Sequence, residues 1–352
     1  MKQLFFISVA IVLSLALVSC SGKRRTVTFD SVRPADISVD ANIKRLLLVD
    51  RTKFDKNFLN IVEGLFTGEM PGDDKAAAQS FISNLQDQLS TSSRFQQKNF
   101  PKRLFGNSIT AAFPDPLKWN KVASLCLNNQ TDAVIAIEVM DTDYLVTEGK
   151  RVVEKTIKKE GVKQKIQVDE FFATGKRSLT LGIRFYNPKQ KTIIDEQWCK
   201  KYGETTYTGT TATEAMDKLL SQPVESRGLS GQLGRDYAFR IAPMNVKITR
   251  AFIGKHRKSP ALEQGTRYAD VGQWKEAINI WKQGLKIAEA KPAKFLAYNI
   301  AVGYEMMGDI SNAVEWAQLA YIKYNNAKAK TYVNLLNRRV MDEQKAAEQL
   351  NP

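Results

Sequence analysis

Apolar positions in the first half of the chain alternate between short runs and helical stripes. Residues 43–49 and 133–139 are apolar runs of strand length, each followed by polar positions. Residues 75–89 carry apolar side chains at helical spacing and predict an amphipathic helix. Residues 57–66 predict a short helix, and the pair Asp115-Pro116 predicts the start of another helix. Strands that alternate with helices in this way are typical of a small α/β sheet.

From residue 141 to residue 208 the pattern changes. Apolar and polar residues alternate over 179–186, which predicts a half-buried strand, and residues 193–202 predict its return strand. The lysine-rich stretch 150–165 predicts an exposed hairpin or a long loop. We therefore expect an α/β domain over residues 43–254 that contains an antiparallel insertion.

From residue 260 onward the chain has helical periodicity throughout, and two segments of this region repeat each other. Small and large residues recur at the spacing of a tetratricopeptide repeat, in which small side chains let paired helices approach and large ones fill the gaps. The candidate packing or partner-groove residues are Gly265, Tyr268, Gly272, Ala277, Trp281, Tyr304, Gly308 and Ala313. We expect a tetratricopeptide-like region over 260–345 and a flexible tail at 346–352. These helices could hold a partner peptide in a groove or complete the core of the α/β part.

The chain opens with an apolar leader. Residues 4–18 are nearly all apolar and follow a single positive charge, Lys2, which is the pattern of a signal peptide. The run is shorter than the ~20 apolar residues that a bilayer span needs. A lipobox of sequence Leu-Val-Ser-Cys ends at Cys20. We therefore predict a signal peptide at 1–19, lipid attached to Cys20, and a lipidated tether and extended arm over 20–42.

Composition and charge bear on the partners. The chain is 43% hydrophobic and 25% charged, as in an ordinary globular protein, and its formal net charge is +15. In a cytosolic protein this charge would indicate nucleic acid. An exported lipoprotein meets membrane head groups, lipopolysaccharide or cell-wall polymer instead. We expect an envelope protein as the partner, an anionic envelope polymer as a further candidate, and no nucleic acid. The alternative is that the positive charge binds no ligand at all.

Two cysteines remain after lipidation of Cys20. Cys126 lies in a helical run and Cys199 in a strand-like run, both beside apolar residues. An oxidising compartment permits a disulfide between them. Two buried free thiols, which behave as small apolar side chains, are the other interpretation.

The chain carries few residues that suggest catalysis. His256 is the only histidine, which excludes a multi-histidine metal site, and its basic loop predicts an exposed side chain. Asp141 and Asp143 follow the second apolar strand, and strand ends are where α/β sites form. The sequence Asp-Thr-Asp is also typical of a turn. We expect no metal and no cofactor, and Asp141 and Asp143 are the catalytic candidates.

Taken together, several parts of the sequence resemble one known family: the lipobox, residues 43–52, 131–144 and 240–254, and the repeat that contains Trp274. The chain resembles a Bacteroidetes lipoprotein family, domain of unknown function 6340, over nearly its whole mature length. The resemblance supplies no catalytic residues, so Cys20 alone is carried over. Surface-exported lipoproteins of Bacteroidetes usually have acidic residues after the cysteine, whereas the tether here is basic. The resemblance therefore implies the outer membrane, on its periplasmic face.

The combined expectation is an α+β chain: an N-terminal α/β sheet domain with an antiparallel meander, followed by a tetratricopeptide-like all-α region. The leading functional hypothesis is a non-enzymatic, lipid-anchored periplasmic adaptor. The second is an envelope enzyme or binding protein that acts on cell wall or another glycan polymer. The third is a subunit of an outer-membrane secretion or assembly complex.

Overall fold

The structure is a computed structural model that describes residues 23–52, 60–62, 65–68, 73–104, 112–159, 161–221 and 226–351. A β-sheet region is followed by a C-terminal run of helices, which confirms the α+β class. The chain divides into two compact units. The sheet unit comprises Pro34–Met244 and Ala347–Pro352. The helical unit comprises the described part of Met1–Arg33 and Asn245–Ala346.

The described strands and helices are as follows. The strands are β1 (Lys23–Arg33), β2 (Arg45–Asp50), β3 (Asn60–Val62), β4 (Leu65–Gly68), β5 (Gln96–Asn99), β6 (Ala133–Lys159), β7 (Val162–Asn187), β8 (Thr192–Gly209) and β9 (Met244–Lys255). The helices are α1 (Asp73–Leu89), α2 (Trp119–Asn129), α3 (Ala212–Leu220), α4 (Ser226–Ile241), α5 (Pro260–Asp270), α6 (Trp274–Lys286), α7 (Ala290–Met306), α8 (Ile310–Ile322) and α9 (Ala327–Leu350).

Strand β6 is central to the sheet of the sheet unit. Its first residues pair in parallel with β2, which in turn pairs in parallel with β5. Further along, the same edge of β6 pairs antiparallel with β4, and β4 pairs with β3. Its other edge pairs antiparallel with β7, and β7 pairs with β8. A short parallel core and the predicted antiparallel meander therefore share one strand.

Strand β2 is apolar on both faces because helices cover both faces of the parallel core. Leu46 and Leu48 lie in the cluster that contains the apolar stripes of α1 and α4. Leu47 and Val49 lie in the cluster on the opposite face, with α2. A continuous apolar run, rather than an alternating one, is what a strand buried on both faces requires.

Helices α1 and α4 are joined by side chains that donate to backbone. Ser230 Oγ donates to the carbonyl oxygen of Ala77 at 2.7 Å, and Ser80 Oγ donates to that of Arg227 at 2.7 Å. Small serine side chains at the crossing let the two helices pack closely. The two helices form one layer beneath the sheet.

The helical unit is built around Trp281, which is fully buried in α6. Its indole lies against Gly265 of α5, where an added Cβ would be 2.3 Å from Trp281 Nε1. The paired helices α5–α6 and α7–α8 turn at Gly272 and Gly308, whose φ values are +79° and +77°. Both angles lie in the left-handed region that glycine adopts without strain.

A buried carboxylate links β9 to two helices within the helical unit. Arg250 of β9 donates to both oxygens of Glu305 in α7, at 2.8 and 3.0 Å. Arg339 and Tyr332 of α9 donate to the same carboxylate, at 3.1 and 2.6 Å. Every oxygen of Glu305 is thus hydrogen-bonded, which is the condition for burying a charge at tolerable cost.

Two predicted helices differ from the structure. The helix expected from Asp115 begins instead at Trp119, with no side-chain cap at Lys118. The carbonyl oxygens of Pro114 and Asp115 accept hydrogen bonds from buried arginines, so this segment is held in an irregular conformation. A short helix expected over 57–66 is replaced by strands β3 and β4; residues 57–59 and 63–64 lie outside the described residues.

The predicted ends of the regions also differ. Residues 346–350, expected in a flexible tail, continue α9, because Gln349 Oε1 accepts from the amide of Ala35 at 2.8 Å and Gln349 Nε2 donates to backbone carbonyls of 35 and 37. The compact units divide after Met244 rather than at residue 254. The reason is that β9 pairs with β1, and Lys247 forms an ion pair with Asp30 at 3.0 Å.

Gly265→Ala is expected to lower the free energy of unfolding by about 1–3 kcal/mol, because the fully buried Trp281 ring cannot yield to the new methyl group. Gly228→Ala is the matched control. It lies on the exposed side of α4 with nothing within 4 Å of its Cβ position, and it should raise stability by up to about 1 kcal/mol. Differential scanning calorimetry of the full chain measures both. A Gly265→Ala variant as stable as wild type would contradict this packing.

Candidate functional site

Asp141 and Asp143 lie within a strand rather than after one. β6 continues to Lys159, and the two aspartates are opposite Thr180 and Ser178 of β7. The expected turn is therefore wrong, because β7 supplies a pairing partner along the whole of β6. The two side chains share one face of the strand, two residues apart. Asp143 accepts a long hydrogen bond from Ser178 Oγ, at 3.4 Å.

The two aspartates differ in how they are buried. Asp141 is half-buried and Asp143 is exposed. Burial raises the pKa of Asp141, and the negative charge of Asp143 raises it further, while Lys200 opposes both effects. Asp141 can therefore hold a proton at a higher pH than an ordinary aspartate. Within the described residues no group of three or more metal-ligating side chains accompanies the pair.

A buried charged cluster occupies the carboxyl end of the parallel core. Glu138 of β6 accepts from Arg51 Nη1 and from the Tyr186 hydroxyl, both at 2.5 Å. Arg51 Nη2 also donates to the carbonyl oxygen of Asp115 at 3.2 Å. Beside it, Arg184 donates to the Pro114 carbonyl and to the Glu196 carboxylate, both at 2.6 Å. The cluster fastens the segment before α2 to the sheet.

The electrostatics of this cluster fit a structural role. Burial raises the pKa of Glu138, and the adjacent Arg51 and Tyr186 oppose that shift. Burial also raises the pKa of the Tyr186 hydroxyl, as does the negative charge of Glu138. Both carboxylate oxygens of Glu138 are taken by protein donors. A buried partner for Glu138 could have been predicted from the sequence, since a single glutamate in the apolar run 133–139 requires one.

His256 is buried, so the expectation of an exposed side chain is wrong. Its Nδ1 accepts from the amide of Lys258 at 3.3 Å, and its ring lies 5.7 Å from that of Phe295. Residues 256 and 259 form a bridged turn that brings the imidazole inward. Burial lowers the pKa of His256, and the positive charge of Lys291 lowers it further.

Cys126 and Cys199 are free thiols. Cys126 packs with α2 on one face of the sheet, and Cys199 packs with the cluster on the other face. Burial raises the pKa of each thiol, which keeps it protonated and unreactive at neutral pH. Of the two interpretations that the sequence left open, the free thiols are the one observed. Cys20 lies outside the described residues.

The candidate repeat residues lie within the helical pairs. Gly265, Ala277, Trp281 and Ala313 are buried. Tyr304 is half-buried, and its hydroxyl accepts a hydrogen bond from Lys282 Nζ at 2.6 Å. The remaining candidates are Tyr268, which packs against the same core, and the turn glycines Gly272 and Gly308. The structure thus places these residues in or beside the core of the helical unit.

A surface that sequence reasoning missed lies on the long strands β6, β7 and β8. Directly opposite residues of paired strands share a face, as do residues two apart on one strand. By the observed register, Asp143 shares its face with Leu145 and Ile157 of β6, Val162 of β7, and Trp198 and Tyr202 of β8. We call the long antiparallel part of β6, β7 and β8 the arm, and we call these five apolar residues the arm face.

The arm face is exposed along its length. Its side chains have exposed fractions of 37% (Leu145), 38% (Ile157), 41% (Trp198), 62% (Val162) and 73% (Tyr202). As far as Val146, the opposite face of the same strands is covered, because Tyr144, Val146 and Ala173 pack against Ala215 and Leu219 of α3. One side of this part is therefore core, and the other side carries exposed apolar residues with charged residues such as Lys176 and Lys200 between them.

The end of the arm is a two-stranded ribbon. Residues 151–159 pair with 162–170, and β8 joins only from Phe171 onward. The strands turn at Gly161, whose φ is +85°. Charges pair across the ribbon, with Arg151 and Lys155 on Glu170 and Lys165 on Glu154. The lysine-rich stretch is thus the exposed hairpin that was predicted, and its outer edges are unpaired among the described residues.

Comparison with protein families matches residues 43–252, more than half of the chain, to the domain of unknown function DUF8603. The chain belongs to the DUF8603 family. The DUF8603 match ends shortly before the helical run, and residues 263–338 match the domain of unknown function DUF6340. The predicted resemblance to DUF6340 is therefore confirmed for the helices, whereas the sheet region matches a different family. No curated protein matches the chain.

Among solved structures, the DUF8603 chain is similar to the PelC dodecamer from Paraburkholderia phytofirmans, with 10% identity and a TM-score of 0.25. The aligned region covers 62% of this chain and 98% of that chain. A variant of the same dodecamer gives 10% identity, a TM-score of 0.25, and coverage of 63% and 98%. A TM-score of this size does not establish a shared fold. No described helix is long and apolar enough to cross a membrane.

Asp141→Asn is expected to raise the melting temperature at pH 7. The wild-type carboxylate is charged at that pH against the effects of burial and of Asp143, and the neutral amide removes this cost. The difference should vanish as the pH falls below the ordinary aspartate range, where wild type is protonated as well. Thermal melts between pH 3 and pH 8 measure it.

Asp132→Asn is the control, because its expected change in stability at pH 7 has the opposite sign. Burial alone would raise the pKa of Asp132, but the Arg45 side chain and the amides of Lys44 and Arg45 donate to it and hold its pKa below the usual range. This variant should be less stable at pH 7, with the difference shrinking at acid pH. If Asp141→Asn also destabilised at pH 7, the charge of Asp141 would have a use that the structure does not show.

Proposed function

We propose that the chain is a lipid-anchored periplasmic adaptor of the cell envelope that binds a protein partner and is not an enzyme. In this proposal Cys20 carries the lipid, and the protein is held at the periplasmic face of the outer membrane. It is a Bacteroidetes lipoprotein whose helical unit is tetratricopeptide-like. The lipobox and the basic tether support the location. The repeat spacing and the turn glycines support the tetratricopeptide-like assignment.

The arm face is the observation that carries the proposal. Proteins rarely leave several large apolar side chains exposed on one continuous face, and such patches mark interaction sites. Here five of them lie on one face of three neighbouring strands, among them a tryptophan and a tyrosine, with charged side chains between them. Aromatic side chains of these two types are enriched at protein interfaces.

The ribbon at the end of the arm supports the same conclusion. A two-stranded hairpin without a covering layer is marginally stable in water. Its lysines and ion pairs guard the unpaired edges against indiscriminate pairing, as charged residues do on natural edge strands. A partner that covers the arm face, or adds a strand to a free edge, would remove apolar surface from water and stabilise the ribbon.

The arm also bears on the alternative hypotheses. A subunit of a secretion or assembly complex would use the same face, with a second copy or another subunit as its partner. The envelope-enzyme hypothesis uses Asp141 and Asp143, which lie on the same face as Tyr202 but two strands away from it. A protein that covers the arm face would also cover both carboxylates. Identifying what binds this surface therefore distinguishes the three hypotheses.

The test places a photo-crosslinking amino acid at Val162 and, separately, at Val152. Both side chains are 62% exposed on the same ribbon, but the register puts them on opposite faces. We expect irradiation of intact cells to join one envelope protein to the Val162 position and to a third position, Tyr202, with yield at Val152 at least ten times lower. Mass spectrometry of the crosslinked band identifies the partner.

Other results would separate the hypotheses. A crosslink between two copies of this chain would favour the assembly subunit. Equal yield at Val152 and Val162, or no crosslinked protein from either, would overturn the adaptor. The same experiment in a Cys20→Ala background tests the anchor separately, since loss of the partner there shows that binding requires attachment to the membrane.

A further inference from the structure

A second candidate site lies within the helical unit. A cavity of about 380 Å³ opens between strand β9 and the beginnings of α7 and α9. Its floor is apolar and aromatic, formed by Phe252, Phe295 and Tyr298, and its rim carries Arg24, Lys294 and Lys328. The volume is that of an ordinary small-ligand pocket, which ranges over roughly 300–1,000 Å³.

Among the described residues, the three cations at the rim have no acidic partner. Several other basic side chains of this unit are paired, for example Lys258 with Glu289 at 2.7 Å and Arg25 with Asp270 at 3.4 Å. Within the described residues, Arg24, Lys294 and Lys328 form no ion pair. Three unneutralised positive charges beside an apolar floor are unfavourable on their own and are complementary to an amphipathic anion.

A buried amide fixes the segments that carry the two lysines. Asn326 Nδ2 donates to the carbonyl oxygen of Lys294 at 2.9 Å, and Asn326 Oδ1 accepts from the amide of Lys328 at 3.2 Å. Asn326 itself is 9% exposed. Its two hydrogen bonds hold the start of α9 against α7, so both lysines are built into the rim.

Position along the chain points to the source of the anion. Arg24 is four residues after Cys20, so even a fully extended tether separates them by at most about 14 Å. If Cys20 carries lipid, as proposed above, the rim is held within reach of the membrane surface. The local concentration of lipid head groups there would be high enough to occupy even a weak site.

We propose that this cavity binds the head group of an anionic phospholipid in the membrane that anchors the chain. The phosphate oxygens would accept hydrogen bonds from Arg24, Lys294 and Lys328, and the glycerol and upper acyl chain would lie over Phe252 and Phe295. Phosphate accepts several charged donors at once, which fits three cations better than a single carboxylate does. The lipid would fix the orientation of the helical unit at the membrane, which an acyl tether alone leaves free.

The test uses the mature lipoprotein released from membranes in mild detergent. Native mass spectrometry measures how much phosphatidylglycerol or phosphatidylcholine it retains at equal lipid concentration. We expect one phosphatidylglycerol per chain, a clear excess over phosphatidylcholine, and about 30-fold weaker binding for Lys294→Gln/Lys328→Gln, since each cation near an anionic lipid contributes about fivefold. Lys294→Arg/Lys328→Arg should retain the lipid.

The matched control is Lys275→Gln/Lys330→Gln, which removes the same charge from exposed positions outside the cavity and should bind as wild type does. Equal retention of the two lipids, or equal loss in both glutamine variants, would overturn the site. Complete displacement by excess inorganic phosphate would also overturn it, by showing that the site takes a free anion. The same spectrum reports acylation: a chain without acyl mass that still retains phosphatidylglycerol would refute the anchor and leave the lipid site standing.

Discussion

The antiparallel pairing of β6 with β7 is the interaction on which the sheet unit depends. It runs from Val134 opposite Tyr186 to Lys159 opposite Val162, with one irregularity between Ile137 and Val139. Because side chains alternate between faces, a shift of one residue would move every buried side chain of β7 to the other face. Burial of the β7 side chains in the core therefore also determines which residues the arm exposes. The interior and the proposed binding surface are set by the same hydrogen bonds.

Each unit contains a buried glutamate that accepts hydrogen bonds from arginine and tyrosine side chains. In the sheet unit Glu138 is held by Arg51 and Tyr186, and in the helical unit Glu305 is held by two arginines and Tyr332. Both networks join segments distant in sequence. Such a network is costly to break, since the charge left behind is buried without a partner. The two glutamates therefore hold distant segments of the fold together and do not act as reactive groups.

Periodicity in the sequence was sufficient for most of the elements. The apolar runs became β2 and the first part of β6, and the helical stripes became α1 and the C-terminal helices, because each pattern reflects local burial. The start of α2 could not be read in the same way. Asp115-Pro116 is a sound local signal, but Arg51 and Arg184 engage the backbone there, and those contacts depend on tertiary structure.

The candidate surface was beyond sequence reasoning for a related reason. The spacing of Trp198 and Tyr202 places them on one face of a single strand, but Leu145 joins that face only once the pairing registers of three strands are known. The buried pairing of Glu138 could be predicted from the sequence, since an acid in an apolar strand implies a buried partner. The burial of His256 was not, because Phe295, nearly forty residues later, covers it.

The two-sided arm has a consequence for how this chain can change over time. Along β6, a residue such as Val146 must remain compatible with α3; if a partner covers the arm face as proposed, Leu145 beside it must suit that partner. The side chains at neighbouring positions are then constrained by different contacts, one within this chain and the other with the partner. Drift at Val146 is limited by the ability to fold, and drift at Leu145 by the pace at which a partner changes. Among related chains, the exposed apolar positions should vary together with the partner and independently of the core.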